Sequence, residues 1–167
     1  MTSGVQSLSA AEEAVVRALG RVLAVVPRVL EADLVREQRM ALSEYTTLMH
    51  LSEAPERRMR MSELAGACDL SLSGMTRVVA RLEADGLLRR VKCEEDARGS
   101  NAELTDAGLA RLERAYPTHL ASVRRHITDH LDGIDLARLA QAFESFGTGS
   151  TCPDPAGTTP DRPVAGG

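Results

Sequence analysis

Residues 70–87 read LSLSGMTRVVARLEADGL, and their spacing decides the architecture. Met75, Val78, Val79 and Leu82 recur at i, i+3, i+4 and i+7, the apolar stripe of a helix that faces a core. Ser73, Thr76, Arg77 and Arg81 fall largely on the other side, with the small Ala80 among them. Ser71 is placed to cap the start of this helix and Gly86 to end it in a left-handed conformation. A shorter helix over Glu63–Cys68, with Ser62 as its expected cap, precedes it, and the pair reads as a helix-turn-helix. The second helix of such a pair fits the major groove of B-DNA, where base edges carry a unique donor and acceptor code. Arginine matches guanine O6 and N7, while serine and threonine reach bases or phosphates. The free N–H groups at Ser71 suit a phosphate. An ordinary amphipathic helix with a solvated face has the same stripe, so its surroundings must decide.

On the C-terminal side, Leu88–Lys92 reads as a strand, residues 93–101 as a polar loop and Ala102–Thr105 as a return strand. This hairpin carries Arg89, Arg90 and Lys92, then Asp96 and Arg98 in its loop. Asp96 is spaced to orient the Arg98 guanidinium through charge-assisted hydrogen bonds, and Gly99 frees the turn. Arg98 is then the expected tip contact, because Glu94, Glu95 and Asp96 make the rest of the tip acidic. A surface hairpin with an incidental ion pair is the plainer alternative. The chain as a whole has net charge −4, which looks wrong for a nucleic-acid binder. Residues 57–98, however, hold nine basic against seven acidic side chains, while residues 1–56 and 99–146 are net negative. Nucleic acid responds to the local patch.

Long helices flank this centre. Ser9-Ala10-Ala11-Glu12 is a capping-box pattern, followed by Val15, Leu19, Val22, Val26, Val29, Leu30 and Leu34 at helical spacing, with Pro27 expected to kink or interrupt the run. Residues 44–53 form a short helix that stops at Ala54-Pro55. Thr105 can cap a second long helix with the stripe Leu109, Leu112, Tyr116, Leu120, Val123, Ile127 and Leu131, bent at Pro117. Asp135 can cap a last helix with Leu136, Leu139, Phe143 and Phe146 on one face. Stripes this long call for a partner, although core helices of a monomer are the alternative. The fold class is mainly α with a small β-hairpin wing. Residues 1–146 read as one domain, with an expected DNA-binding part at about 42–105 and long helices that call for a partner at about 9–40 and 105–146. The remainder, 147–167, is rich in Gly, Pro, Ser and Thr and reads as a disordered tail.

Composition narrows the function further. Aromatics at 2% with no Trp exclude a base-stacking platform for single strands. No run of about 18 apolar residues exists to span a membrane. The N-terminus has no basic-then-apolar leader, and three scattered cysteines suggest a reducing cytoplasm. Cys93 at the base of the wing could sense redox state or be incidental. His126 and His130, four apart, could share a metal, but no Glu follows His126 to make HExxH. No phosphate-binding glycine loop or nucleophile elbow occurs. Neither an enzyme nor a cofactor is expected.

Three stretches carry a family resemblance: Met61-Ser62-Glu63-Leu64-Ala65, the run 70–87, and Asp96-Ala97-Arg98-Gly99 followed by Leu104-Thr105. Together the chain resembles the MarR family of bacterial transcription regulators over roughly residues 9–146. The resemblance implies a winged helix-turn-helix that dimerises through its N-terminal helix and last two helices. It implies a sequence-specific, ligand-responsive repressor that reads a pseudo-palindromic operator in double-stranded DNA. Ser62, Ser71, Ser73, Thr76, Arg77, Arg81, Arg90, Lys92 and Arg98 are the candidate DNA contacts, with Asp96 orienting the wing. The effector implied is a small molecule, commonly a phenolic or other aromatic acid, held between the dimer helices and the DNA-binding part. Some such regulators sense zinc through histidines in the regions of His50, His126 and His130. A winged-helix module that binds protein without reading DNA is the other alternative. Ser100-Asn101-Ala102-Glu103 is more polar than the family pattern, so a short return strand is expected.

Overall fold

A computed structural model of the chain describes residues 6–92 and 100–146. The wing tip, with Cys93, Asp96, Arg98 and Gly99, and the tail at 147–167 lie outside the described residues. Helix α1 (Ala10–Gln38) begins at Ser9, whose hydroxyl and backbone close a capping box with Glu12. It is followed by α2 (Leu42–Glu53), β1 (Arg58–Arg60), α3 (Met61–Ala67) and α4 (Leu72–Ala84). Strands β2 (Leu88–Lys92) and β3 (Ser100–Leu104) then lead to α5 (Asp106–His126) and α6 (Leu136–Glu144). The three strands form an antiparallel sheet in the order β1-β3-β2. The arrangement is the expected winged helix-turn-helix, mainly helical with a small sheet.

The core lies under this centre. Leu48 and Leu51 of α2, Leu64 of α3, Met75, Val78, Val79 and Leu82 of α4, and Leu88, Ala102 and Leu104 of the sheet are buried together. Leu34 of α1 and Leu112 and Ala115 of α5 close it from the other side. Each fully buried Leu or Val contributes about 1.5–3 kcal/mol by leaving water, so the i, i+3, i+4, i+7 stripe of α4 fixes which face of that helix turns outward. Thr105 caps α5, accepting from the Gly108 N–H at 3.0 Å. Its own N–H donates to the Leu87 carbonyl at 3.1 Å, which binds the start of α5 to the end of the α4–β2 turn.

Several local expectations are corrected. Helix α1 runs on through Pro27, so the interruption does not occur, and α5 continues through Pro117. Each proline frees only the carbonyl four residues back, at Leu23 and Glu113, and both residues are exposed where water can bond it. Ser62 does not cap α3: Arg60 stands at the cap and Ser62 lies inside the helix. The reason is β1, a strand of three residues that pairs Arg58, Met59 and Arg60 with Glu103, Ala102 and Asn101 and runs straight into α3. The return strand β3 is not short, since it starts at Ser100 and pairs across from Lys92. Helix α5 stops at His126, where Ile127 leaves helical geometry, so His126 and His130 do not share a helix face. Its buried residues are Gly108, Leu112, Ala115 and Ser122, with Leu109 of the stripe packed half-buried against the core. Tyr116 and Leu120 of that stripe stay exposed.

Chain contacts divide the protein after His130 into two units. In the first, α1 leaves Val15, Val16, Val22 and Leu23 exposed. In the second, Leu136, Phe143 and Phe146 are exposed, with the two phenyl rings 5.6 Å apart. Among the described residues no helix is long and apolar enough to cross a membrane.

Candidate nucleic-acid interface

Helix α4 separates its residues cleanly. Met75, Val79 and Leu82 are at most 2% exposed, whereas Ser73, Thr76, Arg77 and Arg81 are all exposed. Ser71 is the cap: its hydroxyl accepts the Gly74 N–H at 3.1 Å and shares a hydrogen bond with the Ser73 hydroxyl, also at 3.1 Å. Thr76 donates its hydroxyl proton to the Leu72 carbonyl at 2.8 Å. In that state Thr76 offers only lone pairs outward. Those suit a base amino group better than a phosphate oxygen, which needs a donor.

The arginines differ in their commitments. Among the described residues Arg77 makes no hydrogen bond or ion pair, so its whole fork of donors is free. Arg81 gives its Nε–H to Glu44 of α2 at 3.0 Å. Arg90 of β2 is held by Glu83 of α4 at 3.2 Å and donates to the Thr76 carbonyl at 3.2 Å, which binds the wing to the recognition helix. Arg89 and Arg58 converge on Glu103 from the two strands that flank β3, Arg58 at 3.1 Å. The Glu103 carboxyl is pulled below the usual range, first by the Arg89 hydrogen bond and further by Arg58. Ser62 is exposed on α3, and Lys92 ends β2 opposite Ser100. The acidic partners Glu44, Glu83 and Glu103 were not foreseen. Only Glu83–Arg90, seven residues apart, lies close enough along the chain to have been sought.

A second polar cluster joins α1 to α5. Asp33, 6% exposed, accepts from the Ser122 hydroxyl and Arg36, each at 2.6 Å. His126 Nε2 lies 3.1 Å from the same carboxyl and Arg125 3.5 Å. Ser122 first, then Arg36 and His126, hold the Asp33 carboxyl down to about 2 against the opposing effect of burial. His126 is thereby engaged by Asp33, while His50 belongs to α2 and His130 to the turn after α5. Among the described residues no group of three or more His, Cys, Asp or Glu side chains is placed to hold a metal. His119 of α5 stacks on the buried Tyr45 ring of α2 at 4.3 Å, and burial lowers its pKa. A groove of about 400 Å³ between α1 and α2 is lined by Pro27, Arg28, Glu31, Leu42, Thr46 and Cys68.

Residues 40–99 match the sequence profile of the MarR family. The chain is similar to Sco3205 of Streptomyces coelicolor, a MarR family transcriptional regulator solved in complex with DNA. The two are 34% identical with a TM-score of 0.76, over 86% of this chain and 89% of that one. AbsC, a MarR family transcriptional regulator of the same organism, is 37% identical with a TM-score of 0.74, over 84% and 94%. The HTH-type transcriptional repressor YetL of Bacillus subtilis (strain 168) is 30% identical over 104 residues, 60% of this chain. That match spans 62% of YetL, less than two thirds of its length.

Proposed function

The chain belongs to the MarR family, and from that premise we propose that it is a dimeric transcription regulator that binds double-stranded DNA sequence-specifically. The observation that carries this reading is the recognition helix itself. Its apolar face is sealed in the core, and its outer face offers Arg77, uncommitted among the described residues, beside Ser73 and Thr76. In this reading Arg77 reads a base edge, the α4 start at Ser71 takes a phosphate, and Arg98 with Lys92 extends the contact through the wing. Asp96 orients Arg98, and Ser62 on α3 adds a backbone contact. Arg90 acts chiefly as the strap between wing and helix, with a phosphate as its outer partner. The exposed apolar residues of α1, and those of the second unit, are the surfaces a second copy would cover. The DNA-bound state of Sco3205 and the repressor role of YetL support a repressor. A small-molecule effector would fit the groove between α1 and α2, where Arg28 supplies a cation.

Two substitutions test the division of labour, on duplexes selected from a random pool by the wild-type protein. Arg77→Ala is expected to weaken the selected site by about 1–3 kcal/mol and relax the preference at one base position. Arg90→Ala should weaken selected and random duplexes alike. Wild-type affinity should fall steeply with salt as counterions are released. A chain that shows no salt-dependent duplex binding is an interaction module and not a regulator that reads DNA.

A further inference from the structure

We propose that Glu44 of α2 is a positioning residue for DNA recognition, holding Arg81 of α4 ready for the phosphate backbone. This rests on the regulator reading above. An arginine has five N–H donors, and its Nε–H is the one nearest the stem. Glu44 Oε1 takes that donor at 3.0 Å, and among the described residues no hydrogen bond engages the two terminal nitrogens. Their four N–H groups stay available in a plane that the Nε contact orients. Glu44 is itself held: its other oxygen accepts the Ala41 N–H at 3.1 Å, in the first turn of α2, and its side chain is 19% exposed. That turn is tied in its own right to α1, because the Leu42 N–H donates to Glu31 at 2.5 Å. The arginine is therefore anchored through Glu44 to α2, whose first turn is itself tied to α1.

Charge and orientation make opposite predictions. On charge alone, Glu44 beside a phosphate is repulsive, and removing it should tighten binding. Through orientation, removing it frees the long Arg81 side chain, whose ordering then opposes binding. The carboxylate is already shared between a backbone N–H and a guanidinium, which mutes its repulsion, so orientation dominates. As a stabilising pair it matters little, because ion pairs at this exposure contribute at most about 1 kcal/mol to folding.

The test is a double-mutant cycle read as duplex affinity at fixed salt, on the site selected by wild type, with thermal melting measured on each variant. Glu44→Ala should bind about fivefold to tenfold more weakly, and Arg81→Ala about tenfold. In the Arg81→Ala background, Glu44→Ala should change affinity less than about twofold, since the residue it acts through is gone. Glu44→Gln retains a carbonyl acceptor on a side chain of the same length. It should lose about threefold, again only when Arg81 is present, and it serves where the alanine variant folds poorly. Tighter binding by either Glu44 variant, or an equal loss in both backgrounds, overturns the positioning role and leaves the regulator reading intact. If the wild-type chain selects no duplex at all, the regulator reading falls, and this inference falls with it.

Discussion

Replacing Gly108 by alanine is expected to destabilise the protein by about 3 kcal/mol, although alanine is the better helix former. A Cβ at this position would lie 2.1 Å from the Leu87 carbonyl oxygen and 2.6 Å from Leu104 Cδ1. The carbonyl cannot retreat, because it accepts the Thr105 N–H at 3.1 Å and lies 3.0 Å from the Thr105 hydroxyl. Leu104 cannot retreat either, since it sits in the core at the end of β3. Relief requires lifting the first turn of α5 off the α4–β2 turn, which would also shift the wing relative to the recognition helix. Gly66→Ala is the control. It lies in α3 with nothing within 4 Å of its would-be Cβ, and it should gain about 0.5–1 kcal/mol. Urea unfolding midpoints of the two variants should move in opposite directions. A Gly108→Ala protein as stable as wild type would show that the close approach of α5 to Leu87 is not required.

Asp33→Ala should cost about 3 kcal/mol, combining the lost charge interactions with a buried Ser122 hydroxyl left without its acceptor. The charge part follows from linkage. A carboxyl held at about 2, against 3.8 in the unfolded chain, contributes about 2 kcal/mol at neutral pH. Because the folded value is the lower one, this stability is fully present above about pH 4 and is lost as pH falls towards 2. Asp33→Asn keeps an acceptor for Ser122 but no charge. Its deficit against wild type should be about 2 kcal/mol at pH 7 and should shrink steadily between pH 4 and pH 2.5. A deficit that is constant over that range would mean the cluster acts through shape alone. Arg36 and Arg125 are more than half exposed and return to water when the carboxylate goes, which keeps the alanine cost from rising further.

Some elements were legible before any coordinates. Ser9, Ser71, Thr105 and Asp135 each stand at the cap predicted for them, because a cap is a bond within one turn of its own helix. The two faces of α4 were legible for a related reason: burial is proportional to apolar area, and the period of that area is printed in the chain. Pro27 does not interrupt its helix, since a single missing bond on a solvent-facing turn is too weak to break a helix of 29 residues. The stripe on α5 named a real amphipathic face. Its close approach to Leu87 was not legible, because it rests on the missing side chain of Gly108, where a Cβ would lie 2.1 Å from the Leu87 carbonyl oxygen.

The amino-acid sequence by itself determined the helix-turn-helix, its outward polar face, the long flanking helices and the family. The first three rest on local periodicity and capping, and the family on the motif stretches at 61–65, 70–87 and 96–105. Only the tertiary structure decided that β1 exists, since three residues reading RMR become a strand solely by pairing with β3. The same is true of which arginine is free and which is bound. Glu44 meets Arg81 across 37 residues, Glu103 gathers Arg58 and Arg89 from two strands, and Asp33 meets Ser122 across 89. Apolar burial is non-directional, so a pattern along the chain is enough to announce it. A charge-assisted hydrogen bond needs two particular atoms within about 3 Å, and only the folded chain brings residues from distant helices that close.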